Sequence, residues 1–118
     1  MAKQAVFFRF NRALKKINVE DIILIVADNN YVRLYAEEDE YMIRSTFETV
    51  LSRMPEKQFL RVHRTYAVSI DHIVSIAKDG LVLKDVQFTV PVSKQHYPLL
   101  MKQIVLLDGG LPETKKTK

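Results

Sequence analysis

Residues 59–68 read Phe59-Leu60-Arg61-Val62-His63-Arg64-Thr65-Tyr66-Ala67-Val68, a run in which two arginines and a histidine interrupt an apolar pattern. Arg61, His63 and Arg64 fall within four residues, between apolar segments that are typical of a sheet. A core strand seldom carries so much cationic and hydrogen-bonding capacity, because an unpaired buried charge is costly. This stretch is therefore either an internal ion-pair cluster or a surface that contacts an anion.

Length and composition favour one globular domain. The chain has 118 residues, of which 47% are hydrophobic, so it can bury a core of its own. It has no cysteine, which excludes disulfides and thiolate metal sites and suits a reducing compartment. No apolar run approaches the roughly 18–20 residues that span a bilayer, and the N-terminus does not resemble a signal peptide. These features predict a soluble, cytoplasmic protein.

The positive charge is modest in the part of the chain that should fold. Residues 1–101 contain 14 Lys and Arg against 12 Asp and Glu, so only +2 of the net charge of +4 belongs to them. Three lysines, Lys115, Lys116 and Lys118, lie in the last residues. Binding to a nucleic acid must therefore depend on where the charges lie rather than on their total.

Short strand-like runs separated by turn residues dominate the pattern. Ile22–Val26 is a continuous apolar run, typical of a strand buried on both faces. Elsewhere, alternating residues flank Asn or Gly turn signals. Glu37–Glu40 is predicted to be a solvated hairpin tip. The predicted strands outside the opening stretch span residues 5–9, 13–17, 22–26, 31–35, 41–44, 74–77, 81–83 and 86–90.

Two helices are predicted between these strands. Ser45 or Thr46 starts the first, since Ser-Thr-Phe-Glu has the spacing of a capping box, and Pro55 ends it. Ser93 or a neighbour caps the second, with Pro98 delaying or distorting its first turn. No strand–helix–strand alternation is visible, so the predicted class is mostly β.

No catalytic or metal-binding motif emerges from the chain. The histidines, His63, His72 and His96, lie on separate predicted elements without metal-ligand spacing. The three glycines form no phosphate-binding loop, and no serine lies in a nucleophile elbow. The prediction is a protein that is not an enzyme and needs no cofactor or metal.

Polar side chains cluster instead at three junctions between elements. Arg and Lys suit guanine edges, Asn and Gln suit adenine, and hydroxyls suit phosphate, so three such loops are suited to groove readout. The clusters are Asn29-Asn30-Tyr31-Val32-Arg33, Arg61-Val62-His63-Arg64 and Ser93-Lys94-Gln95-His96.

The opening stretch resembles the motif Phe-x-Arg-x-His-Arg-Ser-x-x-Val-Asn of LytTR-type DNA-binding domains. Residues 17–22, 30–34 and 91–94 resemble further segments of that family, in the expected order, and the resemblance runs from about Phe7 to about Met101. The departures are mild and concern sequence preference more than fold: Val26 replaces a frequent Glu, Thr65 a Ser, Ser69 an Asn and Lys94 an Arg.

The resemblance implies an elongated all-β domain of about ten short strands in small sheets, with one or two short flanking helices. The expected domain spans residues 1–107, and residues 108–118 form a flexible tail. DNA contact is expected from loops that enter successive major grooves across a minor groove. Base contacts fall at residues 29–32, Arg64 and Lys94, and the neighbours that hold phosphates or support loops are Arg33, Arg61, His63, Ser93 and Gln95. Arg61 could equally be a structural partner of Asp71 or Glu48.

The implied function is sequence-specific binding of double-stranded DNA by a bacterial transcription regulator, as in the output domains of two-component response regulators. A receiver domain is absent, which implies a stand-alone regulator or a fragment of a longer one. A stand-alone regulator would be controlled by its concentration or by a partner, such as a sensor or regulator protein. Paired repeat sites and a dimer on DNA are expected. The alternative is a small β-rich protein-interaction module derived from such a domain, suggested by the weak charge and the acidic turn Glu37–Glu40.

Overall fold

The computed structural model describes residues 4–55 and 57–109, and these residues form a mostly-β domain, as the sequence predicts. Within this described part, ten short strands make three antiparallel sheets, accompanied by two short α-helices and two 3-10 turns. The domain is elongated, with extents of 57 × 30 × 26 Å. The elements are β1 (Ala5–Phe10), β2 (Ala13–Asn18), β3 (Ile22–Asp28), β4 (Tyr31–Ala36), β5 (Glu40–Arg44), α1 (Phe47–Arg53), β6 (Phe59–His63), β7 (Tyr66–Ser69), β8 (Ile73–Ala77), β9 (Gly80–Leu83), β10 (Val90–Pro91) and α2 (Tyr97–Lys102).

A five-stranded sheet of order β5-β4-β3-β7-β6 forms the centre of the domain. Its middle strand β3 is buried on both faces over residues 22–25, which confirms the prediction from the apolar run. Leu24 packs in one core cluster with the β8–β10 sheet and α2, whereas Ile25 packs in the other with α1 and the first hairpin. Burying each such side chain stabilises the fold by about 1.5–3 kcal/mol.

The first hairpin turns where the sequence predicts, at Asn11 and Arg12. Both residues have a positive φ, 49° and 65°, as a two-residue hairpin turn requires. Phe8 of this hairpin lies in the core against Tyr41, at 5.1 Å between ring centroids. The hairpin therefore covers the face of the large sheet that also carries α1.

Helix α1 begins after Thr46, not after Ser45. Thr46 Oγ1 accepts a hydrogen bond from the Thr49 N–H at 3.1 Å, so Thr46 is the N-cap. The capping box that the sequence suggests is not formed, because Thr46 as N-cap puts Thr49 rather than Glu48 at the third helical position, and the carboxylate of Glu48 pairs with Arg61. The helix ends at Arg53, before Pro55, as predicted.

The predicted strand at residues 86–90 is wrong except at its last residue. Asp85 adopts a positive φ of 64°, which turns the chain away from β9, and only Val90 and Pro91 pair with Leu81 and Gly80. The intervening Phe88 instead contacts aromatic rings of the large sheet, with centroids 6.0 Å from Tyr35 and 6.4 Å from Tyr66.

The last helix starts later than Ser93, because a turn precedes it. Ser93 caps this turn, with its carbonyl accepting from the His96 and Tyr97 N–H groups, and α2 then begins at Tyr97 with Pro98 in its first turn. Leu100 anchors α2 in the core.

From residue 110 onward, the predicted tail lies outside the described residues. None of the helices is long and apolar enough to cross a membrane in the part of the chain that the structure describes.

Candidate nucleic-acid interface

Two turns from different parts of the chain lie at the same end of the large sheet. One, Asn29-Asn30, joins β3 to β4, and the other, Arg64-Thr65, joins β6 to β7. Since β3 and β7 are antiparallel neighbours, the end of β3 meets the start of β7. The Ala27 N–H donates to the Thr65 carbonyl at 2.9 Å and ties the two turns together.

The Asn29-Asn30 turn is fixed by the backbone and exposes both amides. Asn29 has a positive φ of 58°, a conformation that Asn tolerates better than most residues. The carbonyl of Asn30 accepts from the Ser45 N–H at 3.2 Å, which holds the turn against the start of α1. Both side chains are exposed, and Tyr31 beside them is 39% exposed. These three side chains are available to a ligand.

The side chains of Val32 and Arg33 are engaged within the protein itself. The side chain of Val32 is fully buried in the core, so its assignment to a DNA-contacting surface is corrected: it anchors the strand that follows the turn. Arg33 pairs with Asp28 at 3.0 Å and with Glu40. Hydrogen bonds to Asp28 and Glu40 raise the pKa of Arg33 above its ordinary value. Its charge is compensated, and it supports the β3–β4 hairpin.

Arg61 forms the ion-pair cluster that the opening stretch suggested as one alternative, although at a partly exposed position rather than inside the core. Its guanidinium donates from Nη2 to the Arg64 carbonyl at 2.6 Å and from Nε to the His63 carbonyl at 3.3 Å. Nη1 pairs with Glu48 at 3.2 Å, and the guanidinium carbon lies 4.8 Å from the centre of the Phe47 ring. Of the two structural partners that the sequence left open, Glu48 is therefore the one observed. Arg61 holds the central turn in shape.

His63 fixes the same turn from inside. The Thr65 N–H donates to Nδ1 of His63 at 3.2 Å, so this nitrogen is an acceptor. Thr65 Oγ1 lies 3.0 Å from the same nitrogen, and the ring stacks edge-on with Tyr66 at 5.5 Å. With His63 and Arg61 both turned to the loop's own backbone, Arg64 is the member of the stretch whose side chain is exposed.

The third loop is attached to the edge of the large sheet beside the central turn. The Ser93 N–H donates to the carbonyl of Val62 in β6 at 2.9 Å. The Ser93 hydroxyl accepts from the His96 N–H at 3.2 Å and lies 2.5 Å from Nδ1 of the same histidine. Lys94 and Gln95 are exposed at the tip of this turn.

His96 lies in the third loop, where it is half-buried against Ser93. Burial lowers the pKa of His96 first, and the electrostatic influence of Arg61 and then of His63 lowers it further. The hydrogen bonds of His96 to Ser93 hold the third loop in shape. The sequence named His96 with this cluster but not as a site residue, and the structure shows it supporting its own loop.

Arg44 is a site residue that the sequence reasoning missed. It ends β5 opposite Tyr31, and with Asn29, Asn30 and Arg64 it lines an open groove of about 580 Å³. The available signal was topological: a strand that returns from the acidic turn must end beside the Asn29-Asn30 turn. Among the described residues, no carboxylate lies within ion-pair distance of Arg44, Arg64 or Lys94.

The acidic cluster of the chain lies away from this surface, and the two acidic residues near it, Asp28 and Glu48, are paired with Arg33 and Arg61. Glu37, Glu38 and Asp39 lie in the turn between β4 and β5, at the opposite end of the large sheet. Glu37 there approaches the buried His72 at 3.4 Å. Across residues 4–55 and 57–109, no three His, Asp or Glu side chains come together as metal ligands would. The end of the sheet with the three turns is therefore its cationic end.

Comparisons with known proteins identify what this chain is similar to. The model of the LytTr DNA-binding domain family matches residues 6–105. The heme-containing CO-sensing transcriptional regulator RcoM 1 of Paraburkholderia xenovorans is 29% identical over 94 residues, which are 75% of this chain and 35% of that protein. The sensory transduction protein LytT of Bacillus anthracis is 28% identical over 91 residues, which are 73% of this chain and 37% of LytT.

A solved structure has the same fold. The LytTr DNA-binding domain of a methyl-accepting/DNA response regulator from Bacillus cereus superimposes with a TM-score of 0.73, covering 86% of this chain and 97% of that one at 20% identity. The match confirms the all-β architecture that the sequence predicts. The chain spans about a third of the length of the curated relatives it matches.

Proposed function

Because the chain belongs to the LytTR family of DNA-binding domains, which serve transcription regulation, we propose that it reads double-stranded DNA with the three turns at the cationic end of its large sheet. In this proposal Asn29, Asn30 and Lys94 address base edges in the major groove. Arg64, which lies between them, enters the intervening minor groove or holds its phosphates.

The observation that carries this proposal is the convergence of three turns that are far apart in the sequence. The centres of the Asn29-Asn30 and Arg64-Thr65 turns lie about two strand spacings apart, or about 10 Å. The Ser93–His96 turn extends the row beyond β6. A row of three exposed polar loops on a rigid sheet suits a duplex surface in which two major grooves flank a minor groove.

The supporting residues explain how loops can give precise readout. Side chains that read bases must be held in place, since a loop that is ordered only on binding loses affinity to the entropy of ordering. Here Arg61, His63 and Ser93 bind the backbone of the turns. We therefore assign these three to loop support, and Arg64, Lys94 and Gln95 to contact.

The regulatory setting is also proposed by similarity. LytT is a sensory transduction protein and RcoM 1 is a sensing transcriptional regulator, so control by a sensor module or partner protein fits this chain. We propose paired repeat sites on DNA, each bound by one copy, and a domain boundary near residue 107.

Selection of bound sites from random duplexes tests the proposal. A preferred half-site should emerge, and fluorescence anisotropy should show that it binds far more tightly than a scrambled duplex or its single strand. Arg64→Ala should weaken binding, whereas Arg12→Ala, in the distant turn of the first hairpin, should not. A chain that prefers no sequence over random duplex at low salt would overturn the proposal.

A further inference from the structure

A second groove lies between β1 and α1, on the face of the large sheet that the first hairpin covers. Its volume is about 500 Å³, within the range of about 300–1,000 Å³ that is usual for pockets that hold small molecules. Most of its wall is apolar and comes from the core cluster around Phe8. The buried and half-buried members of the apolar lining are Val6, Phe8, Leu34, Ile43, Val50 and Met54.

Three arginines line the same groove. Arg9 comes from β1, Arg44 from the end of β5 and Arg53 from the last turn of α1. Among the described residues, none of the three has a carboxylate within ion-pair distance. They differ in this from Arg33 and Arg61, whose charges are compensated by neighbouring acids. In residues 4–55 and 57–109, the groove thus combines an apolar wall with arginines that no carboxylate pairs.

The hydroxyl of Thr49 adds a hydrogen-bond donor to this lining. Thr46 Oγ1 donates to Thr49 Oγ1 at 2.7 Å, so the Thr49 hydroxyl keeps its own proton for another acceptor. Thr49 also lines the groove. An acceptor that enters there can therefore meet a neutral donor as well as the guanidinium groups.

We propose that this groove binds an organic carboxylate with an aliphatic body. The carboxylate matches the planar donors of arginine, which bind such groups through paired hydrogen bonds. The aliphatic body covers the apolar wall and removes it from water. A short carboxylate would leave the apolar wall exposed to water. A neutral alcohol would cover that wall but would not neutralise the charge of the arginines. Arg44 also lines the groove beside the three turns, whereas Arg9 and Arg53 line only this one, so the proposal rests on Arg9 and Arg53 and does not depend on the proposed DNA-binding function.

Amide NMR titrations with three probes test the proposal: octanoate, its neutral analogue octanol, and acetate, which lacks the aliphatic body. Octanoate should shift the amides that line the groove in a saturable way and bind about tenfold more tightly than either analogue, as expected for charge-assisted hydrogen bonds added to apolar burial. Equal binding of octanoate and octanol would overturn the proposal.

Substitutions identify the residues that hold the carboxylate. Arg9→Gln and Arg53→Gln should each weaken octanoate about fivefold to tenfold and leave octanol unchanged. Arg12→Gln, on the same hairpin but outside the groove, is the matched control and should change neither. Val50→Phe should fill the groove and weaken both probes. The substituted arginines are exposed, so these variants should fold. They test the proposal even if Val50→Phe does not fold.

Two other results would also contradict the proposal. Octanoate could shift the exposed apolar segment Val105–Leu107 instead of the groove, which would show nonspecific adsorption. Groove amides could shift with protein concentration alone, which would show that a second copy of the chain occupies the groove.

Discussion

At the scale of single residues, two arginines three positions apart have opposite roles. Arg61 donates hydrogen bonds from three of its nitrogens, to the carbonyls of His63 and Arg64 and to the carboxylate of Glu48. Arg64 contributes its carbonyl to that arrangement and leaves its side chain exposed. The sequence could not assign these roles, because both residues are arginines in one run. The partner Glu48 lies on a different element and becomes a neighbour only on folding.

Replacing Arg61 by lysine tests its role as support. Lysine keeps the charge but lacks the planar fork, so it cannot hold two carbonyls and Glu48 at once. We expect Arg61→Lys to lower the free energy of unfolding by about 1–2 kcal/mol and to weaken DNA binding. Urea unfolding and anisotropy measure the two effects. Arg64→Ala should weaken binding without loss of stability, and equal stability losses in both variants would contradict the assignment.

Lys94 is the residue at which base readout can be separated from phosphate binding. If Lys94 reads a base edge, Lys94→Ala should relax preference at one base position and cost about 1–3 kcal/mol on the preferred site. The measurement is a binding series over single-base variants of the selected site. Lys84→Ala, beyond the other end of β9, serves as control. A uniform loss over all sequences would show that Lys94 contacts phosphate.

His96 should make stability depend on pH. Burial, then Arg61 and His63, lower its pKa below the ordinary 6.5 in the folded state. As pH falls through 6.5, the unfolded chain takes up a proton that the folded chain resists, so stability is lost. The free energy of unfolding should therefore fall between pH 7.5 and 5.5, and His96→Gln should flatten this slope. An unchanged slope in His96→Gln would assign the pH dependence to other groups.

At the scale of elements, the sequence predicted best where one local pattern sufficed. The apolar run Ile22–Val26 is typical of a buried strand, and Asn11 is a residue that tolerates the positive φ of a hairpin turn. Prediction failed where a distant partner decides the conformation. The segment before Val90 reads as a strand, yet Phe88 leaves the sheet to contact Tyr35 and Tyr66.

The start of α1 provides a test at this scale. Thr46→Ala should lower the free energy of unfolding by about 1 kcal/mol, because the Thr49 N–H loses its acceptor. Ser45→Ala is the matched control and should have a smaller effect, since its hydroxyl makes only a 3.4 Å contact with the Thr46 carbonyl. Urea denaturation of both variants measures the difference. Equal losses would contradict the assignment of the cap.

At the scale of the whole molecule, the arrangement of charge matters more than its total. The order β5-β4-β3-β7-β6 brings Arg44, the Asn29-Asn30 turn and the Arg64 turn to one end. The same strand order places the acidic turn that follows β4 at the opposite end of the sheet. The sequence indicated three polar clusters, but the place of Arg44 depends on strand order, which no local pattern gives. The burial of Val32 agrees with its alternation along β4, where it shares a face with Leu34, and its assignment to the contact loop ignored that alternation.

This segregation predicts that the two ends respond differently to charge removal. Arg44→Gln should weaken DNA binding and reduce the slope of log affinity against log salt by about 1, because one fewer counterion is released. Glu38→Gln raises the net charge by one, yet it should leave affinity and slope unchanged. β5 separates the two positions by about 15 Å, beyond the screening length of about 8 Å at physiological salt. Anisotropy titrations at several salt concentrations measure both. If Glu38→Gln strengthened binding as much as Arg44→Gln weakened it, total charge rather than the cationic end of the sheet would control association.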